Sequence, residues 1–97
     1  MSLTVVITRD VEDRYRGLLS SAMLEAAPGV YVSRALSARA RQALWKIVTG
    51  WHAQLGRGSV TLLYADPACD GGIAVMSLGT PPRQPVSLDG ALLMHRG

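Results

Sequence analysis

The spacing of apolar residues changes twice in the first third of the chain. Residues 3–8 are rich in β-branched side chains and predict a strand. Asp10 stands where a helix N-cap is expected, and Pro28-Gly29 predicts the end of that helix. Val30–Ser33 then has the composition of a short strand. Between the strands, apolar residues recur at helical spacing: Val11, Tyr15, Leu18, Ala22, Met23 and Ala26.

The remaining two thirds predict a longer helix followed by strands. Ser37 is a candidate N-cap, and Gly56 marks the expected helix end. Ser59–Ala65 and Ile73–Leu78 are predicted to form a hairpin, and residues 86–94 carry one last short strand signal. The apolar stripe of the second helix consists of Ala40, Leu44, Ile47, Val48, Trp51 and Leu55.

This order of elements predicts an α+β fold over residues 1–97, formed as a single domain. The expected architecture is ferredoxin-like: a four-stranded antiparallel sheet with two helices on one face, plus a short C-terminal strand. The helices leave the other sheet face uncovered, yet the predicted strands are apolar on both sides. Leu3, Val5 and Ile7, for example, alternate with Thr4, Val6 and Thr8. We therefore expect a homodimer that packs its uncovered sheet faces together.

Charge and composition narrow the range of functions. The net charge is +3 with a pI near 9.6, and eight of the ten basic residues lie between Arg9 and Arg57. A polyanionic partner agrees with this distribution, and ordinary solvated helix faces are the alternative. Cys69 is the only cysteine, which leaves no intrachain disulfide. With no apolar leader or membrane-spanning stretch in the sequence, a cytoplasmic protein is expected.

Several short motifs together resemble one known family. Residues 5–8 (VVIT) are followed by an acid and by Arg14-Tyr15-Arg16-Gly17. Residues 28–32 (PGVYV), Leu44-Trp45 and residues 85–90 (PVSLDG) follow in the same order as in that family. The combination resembles the type I-E branch of the CRISPR-associated protein two family. The resemblance covers nearly the whole chain.

The resemblance implies a role in CRISPR spacer acquisition. It implies a ferredoxin-like homodimer that bridges two dimers of the integrase, CRISPR-associated protein one, and holds double-stranded protospacer DNA for insertion into the array. Contact with the DNA backbone is then expected from Arg14, Arg16, Arg39, Arg41 and Arg83. Guanidinium groups suit phosphate oxygens through their fixed fork of donors. The integrase contact is expected from the C-terminal segment, at Leu88, Leu92, Leu93 and Met94.

Asp10 is the residue on which a catalytic hypothesis depends. Many members of the family have an acid at the exit of the first strand, and a two-fold dimer could bring two such carboxylates together around Mg²⁺. The type I-E pattern places this acid at the position that Arg9 occupies here. The alternative for Asp10 is a helix cap, which needs no metal.

Three functions from different classes follow. The first is a non-catalytic DNA-binding scaffold that requires no cofactor. The second is a metal-dependent endonuclease, acting on RNA or DNA, that uses Asp10 as both catalytic and metal-binding residue. The third is a regulatory module for a small ligand, although no motif for such a ligand occurs in the sequence.

Overall fold

The computed structural model describes residues 3–79, 85–88 and 91–94. Within them the chain forms two α-helices, one short 3₁₀-helix (Asp70–Gly72) and seven strands. The α-helices are α1 (Asp13–Ala22) and α2 (Ala38–Leu55). The strands are β1 (Thr4–Arg9), β2 (Leu24–Ala27), β3 (Val30–Ser33), β4 (Ser59–Ala65), β5 (Ile73–Leu78), β6 (Pro85–Leu88) and β7 (Ala91–Met94).

Strands β1 to β5 form one antiparallel sheet in the order β2-β3-β1-β4-β5. The α+β class and the antiparallel sheet are confirmed, but the predicted count of four strands is wrong because β2 adds a fifth. The C-terminal region also differs from the prediction. It forms a separate two-stranded sheet of β6 and β7 instead of one short strand.

The missed strand β2 lies where the first helix was expected to continue. Helix α1 ends at Ala22, and Pro28-Gly29 forms the turn of the β2–β3 hairpin instead of ending the helix. Residues 24–27 (LEAA) favour a helix by intrinsic propensity, but pairing with β3 provides their backbone with hydrogen bonds. Tertiary pairing therefore overrides local preference in this segment.

Helix α2 begins and ends as its sequence predicts. The Ser37 side chain accepts a hydrogen bond from the Ala40 backbone N–H, and Gly56 adopts the left-handed conformation of a C-cap. On the predicted apolar stripe, Leu44 and Val48 are buried, whereas Ile47 and Ala40 are exposed. The buried stripe is thus narrower than the sequence indicates.

The core lies between the helices and one side of the sheet. Residues from both helices, the C-cap of α1 and the central strands form a single buried cluster: Val6, Tyr15, Leu19, Met23, Tyr31, Leu44, Val48, Val60 and Leu62. Both helices therefore cover the same sheet face, as predicted. Within the described residues, neither helix has the length and hydropathy needed to cross a membrane.

The opposite sheet face, which we call the open face, has no covering element among the described parts of the chain. One apolar residue from each strand contributes to a row that crosses it in register: Leu24, Val32, Val5, Leu63 and Val75. Leu24 and Val75 at the two edges are exposed, and the three central residues are half-buried. An apolar row on an exposed face is typical of an interaction surface.

Candidate nucleic-acid interface

Arg14 and Arg16 lie on opposite flanks of helix α1. Residues two apart on a helix point about 200° apart around its axis. The Arg14 guanidinium accordingly lies over the Trp51 ring of α2, 4.6 Å from its centroid. Arg16 reaches the other way, where its Nε lies 3.3 Å from Oε1 of Glu25 on β2. The two side chains therefore diverge, as their spacing on the helix requires.

The outer surface of α1 between these two arginines is open. Asp13, Gly17 and Ser20 follow one another along this exposed ridge. A Cβ built at Gly17 would meet no atom within 4 Å, so nothing in the described chain accounts for a glycine in the middle of the helix. Such a glycine costs roughly 1 kcal/mol relative to alanine, and it permits close approach of another molecule to the helix backbone.

On the Arg14 flank of α1, the guanidinium contacts one member of an aromatic pair, Trp51 and Tyr15. The Trp51 ring meets the buried Tyr15 ring edge-on, with centroids 5.2 Å apart and planes at 76°. Burial raises the pKa of Tyr15, and the nearby Glu12 carboxylate adds to this rise. Trp51 thus packs against a buried tyrosine at its edge and carries the Arg14 guanidinium over its ring.

The basic residues of helix α2 differ from each other in exposure. Arg39 is exposed on the first turn of the helix. Arg41 is half-buried, and its guanidinium lies over the Tyr64 ring, 3.5 Å from the centroid. Arg41 therefore contributes to packing against β4, whereas Arg39 offers its charge to solvent.

A cleft of about 600 Å³ adjoins the Arg16 flank of α1. Four carboxylate residues and one arginine lie among its lining residues: Asp10, Glu12, Asp13, Glu25 and Arg16. Glu25 is the residue here that the sequence did not single out, because residues 24–27 were assigned to a helix. The Pro28-Gly29 pair between two apolar segments was the available signal for a hairpin that would place Glu25 beside α1.

Asp10 takes a different role from the predicted helix cap. The N-cap position of α1 is occupied by Glu12, and Asp10 lies two residues earlier with a positive φ of 56°. Its Oδ1 accepts a hydrogen bond from Arg57 Nη2 at 3.2 Å in an exposed ion pair. Gly58 packs against the backbone of Asp10 so closely that a Cβ there would clash with the Asp10 carbonyl oxygen. The ion pair thus spans a tight contact between the β1 exit and the loop before β4.

A family model described as CRISPR-associated protein (Cas_Cas2CT1978) matches residues 3–93 of the 97. The chain belongs to this family. The match includes α1 with its two arginines, the complete five-stranded sheet and most of the C-terminal hairpin. The resemblance drawn from the sequence is therefore confirmed at the level of a CRISPR-associated, Cas2-like family.

Membership in this family raises the question of a metal bound at Asp10. In this chain the Asp10 carboxylate already pairs with a guanidinium, and the exposed Arg9 precedes it. Across the described residues, His, Cys, Asp and Glu side chains do not gather in groups of three that could hold a metal ion. The residues of one protomer thus do not fit a Mg²⁺ site at this position.

The other predicted site residues lie in the C-terminal region. Arg83 is outside the described residues. Leu88 lies at the end of β6, and Leu92, Leu93 and Met94 lie on β7. The structure thus brings the four predicted partner-binding residues together in one hairpin, in which Leu88 pairs with Ala91.

Proposed function

We propose that this chain is a spacer-acquisition subunit of a CRISPR system, in the type I-E branch of its family. In this role a homodimer with a ferredoxin-like fold holds double-stranded protospacer DNA and bridges dimers of the integrase, CRISPR-associated protein one. The observation that carries the DNA-binding part is the placement of Arg14 and Arg16 on either flank of an open helix ridge. The scaffold itself needs no metal.

The chemistry of the α1 ridge agrees with binding to a phosphate backbone. Arg14 and Arg16 are both exposed, and each guanidinium has a partner that restricts its motion: Trp51 for one and Glu25 for the other. Phosphate contacts of this kind set position and affinity but carry no sequence information. The proposed binding is therefore indifferent to DNA sequence and sensitive to salt.

The open face supports the homodimer. Its apolar row extends across all five strands, so a second copy could cover it with the same residues in an isologous contact. The strand order β2-β3-β1-β4, with two helices on one side, supports the ferredoxin-like assignment, to which β5 adds an edge strand. We assign the integrase contact to the hairpin of β6 and β7, where Leu88, Leu92, Leu93 and Met94 are located.

The test is a salt titration of DNA binding by the full chain, with duplexes of unrelated sequence. If about six phosphates are contacted, affinity should fall with a log–log slope of roughly −5. Arg14→Ala and Arg16→Ala should each weaken binding and reduce the slope by about 1.

Arg34→Ala is the matched control for these two variants. Arg34 is exposed and carries the same charge, but it follows β3 at the sheet end opposite the start of α1. The control should keep the wild-type slope. A salt response that does not change in either α1 variant would contradict the assignment of this ridge to DNA.

A further inference from the structure

Glu25 forms an ion pair with Arg16 at the Nε of the guanidinium group. Oε1 of Glu25 lies 3.3 Å from Arg16 Nε, and Oε2 accepts a hydrogen bond from the Gly29 backbone N–H at 3.1 Å. One carboxylate therefore connects α1 to the turn of the β2–β3 hairpin. The ion pair lies at Nε, and the Arg16 side chain is exposed, so its two terminal nitrogens can approach an acceptor from solvent.

The two side chains differ sharply in exposure. The Arg16 side chain is 71% exposed, whereas the Glu25 side chain is 23% exposed. Glu25 lies opposite Tyr31 in the strand register, and its charge adds to the effect of burial in raising the pKa of Tyr31. The carboxylate is thus fixed within the fold, and the guanidinium extends from it into solvent.

We propose that Glu25 is a positioning residue for DNA binding, which orients the terminal nitrogens of Arg16 toward a phosphate. This inference rests on the proposed function, since it requires a phosphate at Arg16. Bidentate contact between a guanidinium and a phosphate demands a defined orientation of the fork. A free arginine side chain has many rotamers to lose on binding, and a side chain already held at Nε has fewer.

Glu25 also has an effect that would weaken DNA binding, and this effect is electrostatic. Its negative charge lies beside the arginine and repels an approaching phosphate, which by itself would weaken binding. The phosphate would lie on the far side of the guanidinium from Glu25, and salt and solvent screen charges at such an exposed position. Orientation therefore outweighs repulsion, and removal of the Glu25 charge should weaken DNA binding.

The test compares Glu25→Gln with Asp13→Asn in the full chain, using duplex DNA of arbitrary sequence. A glutamine loses the negative charge that attracts Arg16 and replaces one of the two carboxylate oxygens with an NH₂ donor. Asp13 is an exposed acid of the same cleft, so its variant removes the same charge and controls for repulsion alone. We expect Glu25→Gln to lower the affinity for DNA roughly threefold to tenfold, because Arg16 must then lose more side-chain entropy on binding. Asp13→Asn should raise the affinity slightly.

A double-mutant cycle with Arg16→Ala separates positioning from a purely structural role. If Glu25 acts through Arg16, Glu25→Gln should have no further effect on affinity in the Arg16→Ala background. An equal loss in both backgrounds, or a Glu25→Gln variant that binds as tightly as wild type, would overturn the inference. If Arg16→Ala alone leaves binding unchanged, the phosphate contact at Arg16 in the proposed function fails instead.

Discussion

The two faces of the sheet have similar apolar content but different environments. On the covered face, Val6, Val60 and Leu62 are completely buried beneath the helices. On the open face, the neighbouring Val5 and Leu63 are only half-buried, and Val75 is exposed. Apolar residues that are adjacent in the chain are thus either buried within the protein or left on the face that we propose for the dimer.

The largest expected difference between the faces concerns the adjacent residues Leu62 and Leu63. Leu62→Ala should cost about 2–5 kcal/mol of unfolding free energy, because it leaves a cavity in the core. Leu63→Ala should cost less, and its cost should shrink as the protein is diluted, because Leu63 lies on the face of the proposed dimer. Urea unfolding at several protein concentrations measures both effects. Equal costs that do not vary with concentration would remove the distinction between the faces.

The second prediction compares a lysine introduced on the open face with a lysine introduced on helix α2, on the other side of the sheet. Val75 on the open face and Ile47 on α2 are 43% and 42% exposed. Val75→Lys should dissociate the proposed dimer, since a buried unpaired charge is costly, whereas Ile47→Lys should leave it intact. Sedimentation analysis gives the oligomeric state of each variant. Dissociation by Ile47→Lys alone would assign the dimer contact to the helices.

The smallest expected effect concerns Asp10, which directly follows the central strand β1. Exposed ion pairs contribute about 0–1 kcal/mol, so Asp10→Asn should change stability little. A scaffold should also retain spacer integration when this variant is combined with the integrase. Loss of integration by a variant that still folds and dimerises would favour the metal-dependent endonuclease alternative. Arg57→Ala, which breaks the same ion pair, controls for a purely structural effect.

Much of the fold could be predicted from local signals. The caps of α2 at Ser37 and Gly56, and the bounds of β4 and β5, agree with the structure because each depends on nearby residues. The end of α1 could not be predicted in this way. Residues 24–27 form a strand only because β3 offers a pairing partner, and propensity alone favours a helix there.

The candidate site likewise has some features that local sequence predicts and others that depend on distant parts of the chain. The divergence of Arg14 and Arg16 follows from helix geometry and could be predicted from their spacing. Their partners, Trp51 and Glu25, lie on other elements, and the spacing of the two arginines does not predict them. Asp10 illustrates the same limit, because its ion pair joins two loops that are 47 residues apart in sequence.

The sequence by itself determined the fold class, the family and the residues that we propose for phosphate contact, since each depends on composition, order and spacing along the chain. Only the tertiary structure decided which of these residues are held in place. Glu25 reaches Arg16 because the β2–β3 hairpin lies beside α1, and Asp10 reaches Arg57 because two loops meet. The physical reason is that side-chain pairing depends on distances in space, which the folding of the whole chain sets.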